Sequence, residues 1–366
     1  MDFGLNDDQE TLQRYAREFL EKECPSTFVR AQMDSDTAHD PSFYEKMADL
    51  GWTGIAIPEE AGGQGMSYVD VAVLVEEMGR AVVPGPFFAT VCLAAPVLVD
   101  TGRSDLLAGI ASGERLATLA YTEADGRVDA EGVQLRADGD KLTGTKHYVP
   151  DAHVADTLVV AARADDGISL YAVPTDSSGV SVKQVTTMDM TRRWCEVELD
   201  GAKGELLGEA GNGWAILERA LQKSTALLSA ECVGGANKVL DMSVDYAKVR
   251  MQFGRPIGSF QAVKHRCADM LVDVEMARSA MYYAAWAASE EDPQDDGELP
   301  LAASIAKAWC GEAYTRVAAN GIQVHGGIGF TWEHDMHLYF KRAKVNELLL
   351  GDTAHHRELV ARLIAA

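Results

Sequence analysis

Arg250, Gln252, Phe253 and Gln261 lie close together around a hinge made of Gly254, Pro256 and Gly258. A guanidinium can hold two phosphate oxygens at once, so an Arg beside an amide, an aromatic ring and exposed backbone donors suits an anion such as a pyrophosphate. A solvated surface turn would use the same residues, and spacing alone leaves both readings open. Further along, Gln323 supplies an amide and Gly326 and Gly327 bare the backbone for close approach. Taken alone, that glycine pair is a weak signal. The glycine-rich run from Gly51 to Gly65 is weaker still, because it has no Lys at the Walker position and does not join a strand to a helix.

The elements that must position these groups follow from periodicity. From Leu217 to Val249 apolar residues recur at helical spacing, with Cys232, Ala236 and Val239 on one side and Val233 and Leu240 beside them. Phe260 to Trp286 repeats the pattern. Pro256 removes a donor and Gly254 permits positive φ, so the first helix must stop, leaving a helical hairpin with Arg250 at its tip. Residues 1–113 also read as helical. Asn6 to Glu10 gives a capped start, Leu12, Tyr15, Ala16, Phe19 and Leu20 form a stripe up to Glu23, and Pro25 ends it; further helices fall at Ser42 to Leu50, Ser67 to Arg80 and Pro86 to Asp100.

Over 114–206 the pattern changes to short alternating runs with turn signals. Strands are expected at Leu116 to Tyr121, Val133 to Ala137, Lys141 to Val149, Thr157 to Ala162, Ser169 to Val173, Val180 to Val185 and Cys195 to Leu199. That predicts a small antiparallel barrel or sandwich. Residues 207–366 return to helix, so the class is α+β: a helical domain, a central β domain and a helical bundle. The acidic run from Glu290 to Glu298 reads as a solvated interhelical loop.

With 366 residues, 47% apolar and 24% charged, the chain can bury two or three cores. Lys and Arg number 33 against 56 Asp and Glu, and the formal charge of −23 argues against nucleic acid or anionic membrane as a general partner. Any anionic ligand needs a local cationic pocket. The six cysteines are scattered singly, without disulfide-framework or zinc spacing, so no metal site is expected. The acidic start is unlike a targeting peptide, and no apolar run reaches bilayer length, which makes the expected location cytoplasmic.

Arg250, Phe253, Gly254, Ile257, Phe260 and Gln261 together resemble the R-x-x-F-G-x-x-I-x-x-F-Q signature of the acyl-CoA dehydrogenase family. These flavoenzymes desaturate acyl thioesters between the α and β carbons. The stretch from Gly51 to Gly65, the run Glu76 to Arg80, and Gln323-Val324-His325-Gly326-Gly327-Ile328-Gly329-Phe330 resemble further family segments in the same order. The resemblance implies FAD as cofactor, held by Arg250, Gln252, Phe253 and Gln261, with Gln323, Gly326 and Gly327 reaching a neighbouring subunit's FAD in tetrameric members. It also implies flavin contacts at Tyr121, Thr122 and Tyr148. Tyr148 and Pro150 stand where the family has a Trp flanking the isoalloxazine and a Thr meeting flavin N5; Pro150 offers neither hydroxyl nor N–H.

The implied reaction needs a carboxylate to take the α proton while the flavin accepts the β hydride. Leu350 falls where the commonest family base, a Glu near the C-terminus, should be; Ser224 falls at the alternative position used by isovaleryl and long-chain members. Glu231, two turns after Ser224 and beside Gly234 and Gly235, is the first candidate base, and Asp352 the second; Glu347 is a third. Glu231 also fits an ion-paired acid on a helix flank, and Asp352 an N-cap of the final helix. The leading expectation is α,β-dehydrogenation of an acyl-CoA with electrons passed to an electron-transfer flavoprotein, by a homo-oligomer or a heteromer with a related subunit. The alternatives are a non-catalytic or half-site subunit of a heteromeric dehydrogenase, which the missing acids favour, and a flavin oxidase on the same scaffold.

Overall fold

The computed structural model describes residues 4–290 and 297–365, so residues 291–296 of the acidic run lie outside the described residues. In chain order the helices are α1 (Asp7–Glu23), α2 (Ser26–Asp34), α3 (Pro41–Asp49), α4 (Tyr68–Ala81), α5 (Ala95–Asp100), α6 (Ser104–Ala111), α7 (Gly213–Val249), α8 (Gln261–Ser289), α9 (Leu299–His325), α10 (Met336–Leu348) and α11 (Thr353–Ala365). Helices flank a central sheet in sequence, as the alternation of periods predicts. None of the described helices is long and apolar enough to cross a membrane. By its contacts the chain forms two compact units.

The first unit gathers the described residues of Met1–Val29, Tyr68–Val83 and Thr225–Ala366. α1 opens on a capping box: Asn6 accepts from the Gln9 backbone at 2.8 Å and the Gln9 side chain accepts from the Asn6 backbone at 3.1 Å. α8 and α9 meet through alanines, among them Ala284, Ala288, Ala302 and Ala306, whose small side chains allow close approach. α4 and α7 approach closer still. A Cβ at Gly79 would fall 2.2 Å from the Glu231 carbonyl oxygen, and one at Gly234 would fall 1.8 Å from that of Glu76. The adjacent buried acids of α4 are each paired, Glu77 with Arg17 at 2.6 Å and Glu76 with Arg278.

Between α10 and α11 the backbone turns through two left-handed residues, Leu350 (φ 62°) and Gly351 (φ 96°). Side chains hold the carbonyls that this turn leaves without helical partners. Fully buried Lys307 donates to the carbonyls of Glu347 at 2.9 Å and Gly351 at 2.7 Å, and His356 Nε2 donates to that of Leu350 at 2.9 Å. The His356 Nδ1 is buried without a hydrogen-bond partner among the described residues, and burial pushes the imidazole from its ordinary 6.5 down to about 4. A group that stays neutral when folded but protonates when unfolded contributes full stability above pH 6.5 and loses it as the pH falls towards 4. The loss is about 3 kcal/mol across that window. Urea unfolding at several pH values checks this: the slope between pH 6.5 and 4 should flatten in His356→Gln, and parallel curves would assign it to another group.

The second unit comprises Arg30–Ser67 and Pro84–Ser224. Its strands are β1 (Ala117–Ala120), β2 (Arg136–Asp138), β3 (Lys141–Pro150), β4 (Thr157–Ala164), β5 (Gly167–Pro174), β6 (Val180–Val185), β7 (Trp194–Lys203) and β8 (Glu205–Leu207). They form one sheet in the order β6-β7-β3-β2-β4-β5-β8, with β1 beside β4. The pairing is mostly antiparallel; β1 runs parallel to β4, and β2 meets β4 in parallel at Arg136 and Arg163. Leu142, Val149, Leu158, Val160, Val173, Val197 and Leu199 fill one core.

Two segments depart from the periodicity. The strand expected at Val133 to Ala137 begins only at Arg136, because the amides of Gln134 and Leu135 both donate to Glu123 Oε1 at 2.8 Å. The helix expected from Pro86 to Asp100 starts as a π-helix over Phe88–Ala94. Pro96 has no N–H to offer the carbonyl four residues back, that of Cys92, which instead accepts from Ser224 Oγ at 2.6 Å.

Candidate flavin-facing surfaces and candidate bases

In the first unit, α7 ends at Val249 and the chain turns through a small hairpin, β9 (Met251–Gln252) and β10 (Arg255–Pro256). Its two turn residues, Phe253 (φ 52°) and Gly254 (φ 78°), are both left-handed, as a tight two-residue hairpin requires. Glycine adopts this readily, whereas Phe253 is strained and still 91% exposed. Its ring meets Phe260 edge-on at 6.0 Å, and Arg255 lies 4.1 Å over the Phe260 ring. Arg250, Gln252 and Gln261 are exposed beside it, and the Arg250 guanidinium has no ion pair or hydrogen bond among the described residues. Gly326 (φ 64°) and Gly327 leave open space where a side chain would stand, and Gln323 is exposed one turn before them. Two contacts link these segments: Tyr246 stacks on His325 at 4.5 Å, and Arg266 donates to Asn320 at 2.5 Å. The free guanidinium and the bare glycine turn of this unit suit a pyrophosphate.

In the second unit the register of β3 against β7 shifts between Lys146 and Val149. This bulge puts Tyr148 at φ 53° and leaves its ring 55% exposed. The His147 N–H donates to the Thr122 carbonyl at 2.9 Å, which brings Thr122 alongside the bulge. Tyr121 is buried, and desolvation pushes its phenol up to about 12. The Pro150 carbonyl accepts from Thr118 Oγ1 at 2.6 Å. An exposed aromatic on strained backbone suits a flat ring system. Lys146, just before the bulge, is fully buried beside Glu123.

The nominated acids are not free. Glu231 Oε1 accepts from Arg342 at 2.6 Å and from Asn346 at 3.1 Å, with both charged side chains at most 5% exposed. The two glycines beside it leave no open space: Gly234 lies against the α4 backbone, and a Cβ at Gly235 would fall 2.3 Å from the Tyr314 hydroxyl. Asp352 is exposed and caps α11, accepting from the His355 backbone at 2.8 Å. Glu347 accepts from Lys344 at 2.6 Å and Thr315 at 2.9 Å. Leu350 is buried, and Ser224 is spent on the Cys92 carbonyl. Glu231 and Asp352, the two acids expected as bases, thus each accept hydrogen bonds within the first unit.

Profiles of the acyl-CoA dehydrogenase N-terminal, middle and C-terminal domains match residues 6–114, 118–202 and 211–365. The chain belongs to the acyl-CoA dehydrogenase family. Acyl-CoA dehydrogenase IpdE2 of Mycolicibacterium smegmatis is 34% identical over 99% of both chains. Among solved structures, a variant of the Tcur3481-Tcur3483 steroid ACAD is similar with a TM-score of 0.89, at 32% identity over 98% of each chain. The ChsE4-ChsE5 complex from Mycobacterium tuberculosis contains a chain similar with a TM-score of 0.90, at 29% identity over 100% of this chain and 99% of that one. This acyl-CoA dehydrogenase family member is therefore an oxidoreductase by kinship.

Proposed function

We propose that this chain is one subunit of a heteromeric acyl-CoA dehydrogenase that desaturates an acyl-CoA thioester, with a related chain providing the base. The observation that carries this reading is the engagement of Glu231 with Arg342 and Asn346 inside the first unit. Removing an α proton needs a carboxylate that is free to accept it, and a carboxylate locked to a buried guanidinium is a poor acceptor. Two solved relatives are two-component assemblies by name, and one of those is a steroid ACAD, which supports a companion subunit and an acyl group bearing fused rings.

FAD, when bound, supplies the hydride acceptor. In the first unit Arg250 would hold its pyrophosphate, with Phe253 and Gln261 beside it, and Gln323 with Gly326 and Gly327 would receive the adenosine half of a neighbouring subunit's FAD. In the second unit Tyr148 would face the ring system. Electrons would leave to an electron-transfer flavoprotein. The exposed apolar residues around the hairpin, Val249, Met251 and Phe253, together with Leu271, Val272 and Met276 on α8, supply the surface for the companion subunit.

The test is anaerobic flavin bleaching by a panel of acyl-CoA thioesters that includes steroid-derived ones. The chain alone should not bleach with any of them, whereas its complex with a companion subunit should bleach with one. Bleaching by the isolated chain would show a self-sufficient dehydrogenase. Peroxide formation in air by the complex would instead favour an oxidase.

A further inference from the structure

The segment Tyr121-Thr122-Glu123 and the bulge at His147-Tyr148 are separated along the chain, yet one side chain joins them. Lys146 stands immediately before the bulge and is 0% exposed. Its Nζ donates to the Tyr121 carbonyl at 3.2 Å and to Glu123 Oε1 at 2.7 Å. The same carboxylate oxygen accepts the amides of Gln134 and Leu135, each at 2.8 Å. Thr122 is thereby gripped from both sides: its neighbours are held by Lys146, and its own carbonyl accepts from the His147 amide at 2.9 Å.

A buried ammonium is costly unless it is paired and its protons are used. Here Lys146 meets a carboxylate and a carbonyl, and the arrangement ends on two residues that are not buried, Thr122 and Tyr148. Tyr148 is held at φ 53°, a conformation an aromatic keeps only where its surroundings over-determine it. The register shift that creates this strain starts at Lys146 itself.

The geometry points to Lys146 as a positioning residue that, through Glu123, locks Thr122 and Tyr148 into one ligand-facing surface. The inference rests on the flavin reading above for the identity of the ligand, and on this chain's own geometry for the lock. Lys146 does not itself touch the ligand; it acts by fixing two segments that would otherwise move independently.

Three preparations decide it: the wild-type chain, Lys146→Met and Lys146→Arg, each with its companion subunit where one is needed for stability. Amide hydrogen exchange without FAD reads the lock directly. Lys146→Met should speed exchange at His147, Gln134 and Leu135 while strands β4 and β5 keep theirs. FAD affinity and the visible circular dichroism of bound flavin read its purpose. Affinity should fall about 10-fold or more and the flavin signal should change. Lys146→Arg should restore part of both.

Unchanged exchange in Lys146→Met would overturn the lock. Faster exchange with unchanged FAD affinity and flavin signal would overturn the positioning role and leave Lys146 purely structural. A wild-type chain that binds no FAD, alone or in complex, would overturn the flavin reading and the positioning role together. Exchange would still report on the lock, so the two failures are distinguishable.

Discussion

Glu231→Gln should unfold at markedly lower denaturant than the wild-type chain, losing about 3–5 kcal/mol of stability. The substitution leaves Arg342 charged and buried without its carboxylate, where burial keeps bulk water from replacing the lost charge. Arg342 also reaches the Val83 carbonyl at 3.4 Å, a contact with a neutral acceptor. The double variant Glu231→Gln, Arg342→Met should recover part of the stability, because removing both charges avoids the uncompensated one. A catalytic carboxylate would behave differently: its amide variant would keep full stability and lose only turnover. Equilibrium unfolding in urea of the wild type, both singles and the double separates these outcomes, and a stable Glu231→Gln would return that residue to the candidate bases.

Gly234→Ala is the second substitution with a large expected effect. One methyl group would be placed 1.8 Å from the Glu76 carbonyl oxygen, a backbone atom that no rotamer change can move aside. α4 and α7 would have to separate, which should cost about 3 kcal/mol or more and disturb the buried Glu76–Arg278 pair that the close approach supports. Gly327→Ala is the matching control, since a Cβ there meets nothing within 4 Å. Thermal unfolding should separate the two variants clearly. Similar melting temperatures would mean that the α4–α7 contact is looser than its geometry indicates.

Much of this protein was legible along the chain because the deciding interactions are local. The capping box at Asn6 and Gln9, the stop at the Gly254-Pro256-Gly258 hinge and the turn-separated strands of the central sheet each depend on residues within a few positions of one another. The exposed hairpin with Arg250 and Phe253 is local in the same sense, so its motif could be read before any fold was known. Where local signals failed, a side chain from elsewhere had intervened. Glu123 took the amides of an expected strand from eleven and twelve positions away, and Ser224 took a carbonyl that Pro96 could not serve.

The status of the acids was a matter for the tertiary structure alone. Glu231 lies in a run of α7, Lys223 to Ala236, that is buried on every side, and a carboxylate there must find a cation. That cation, Arg342, is 111 residues away on α10, at a distance along the chain that no periodicity reports. The glycines beside Glu231 look like space in sequence and prove to be contact in the fold, because a missing side chain can make room for a ligand or for another backbone. Lys146 could be read as part of the family-like stretch around Tyr148 but not as a buried charge: alternation along β3 says only which face a residue takes, and it was the pairing with Glu123 that made this one a buried ammonium. Sequence determined the family and the order of elements. Only the packing of distant charges decided that Glu231 meets Arg342 and Asn346.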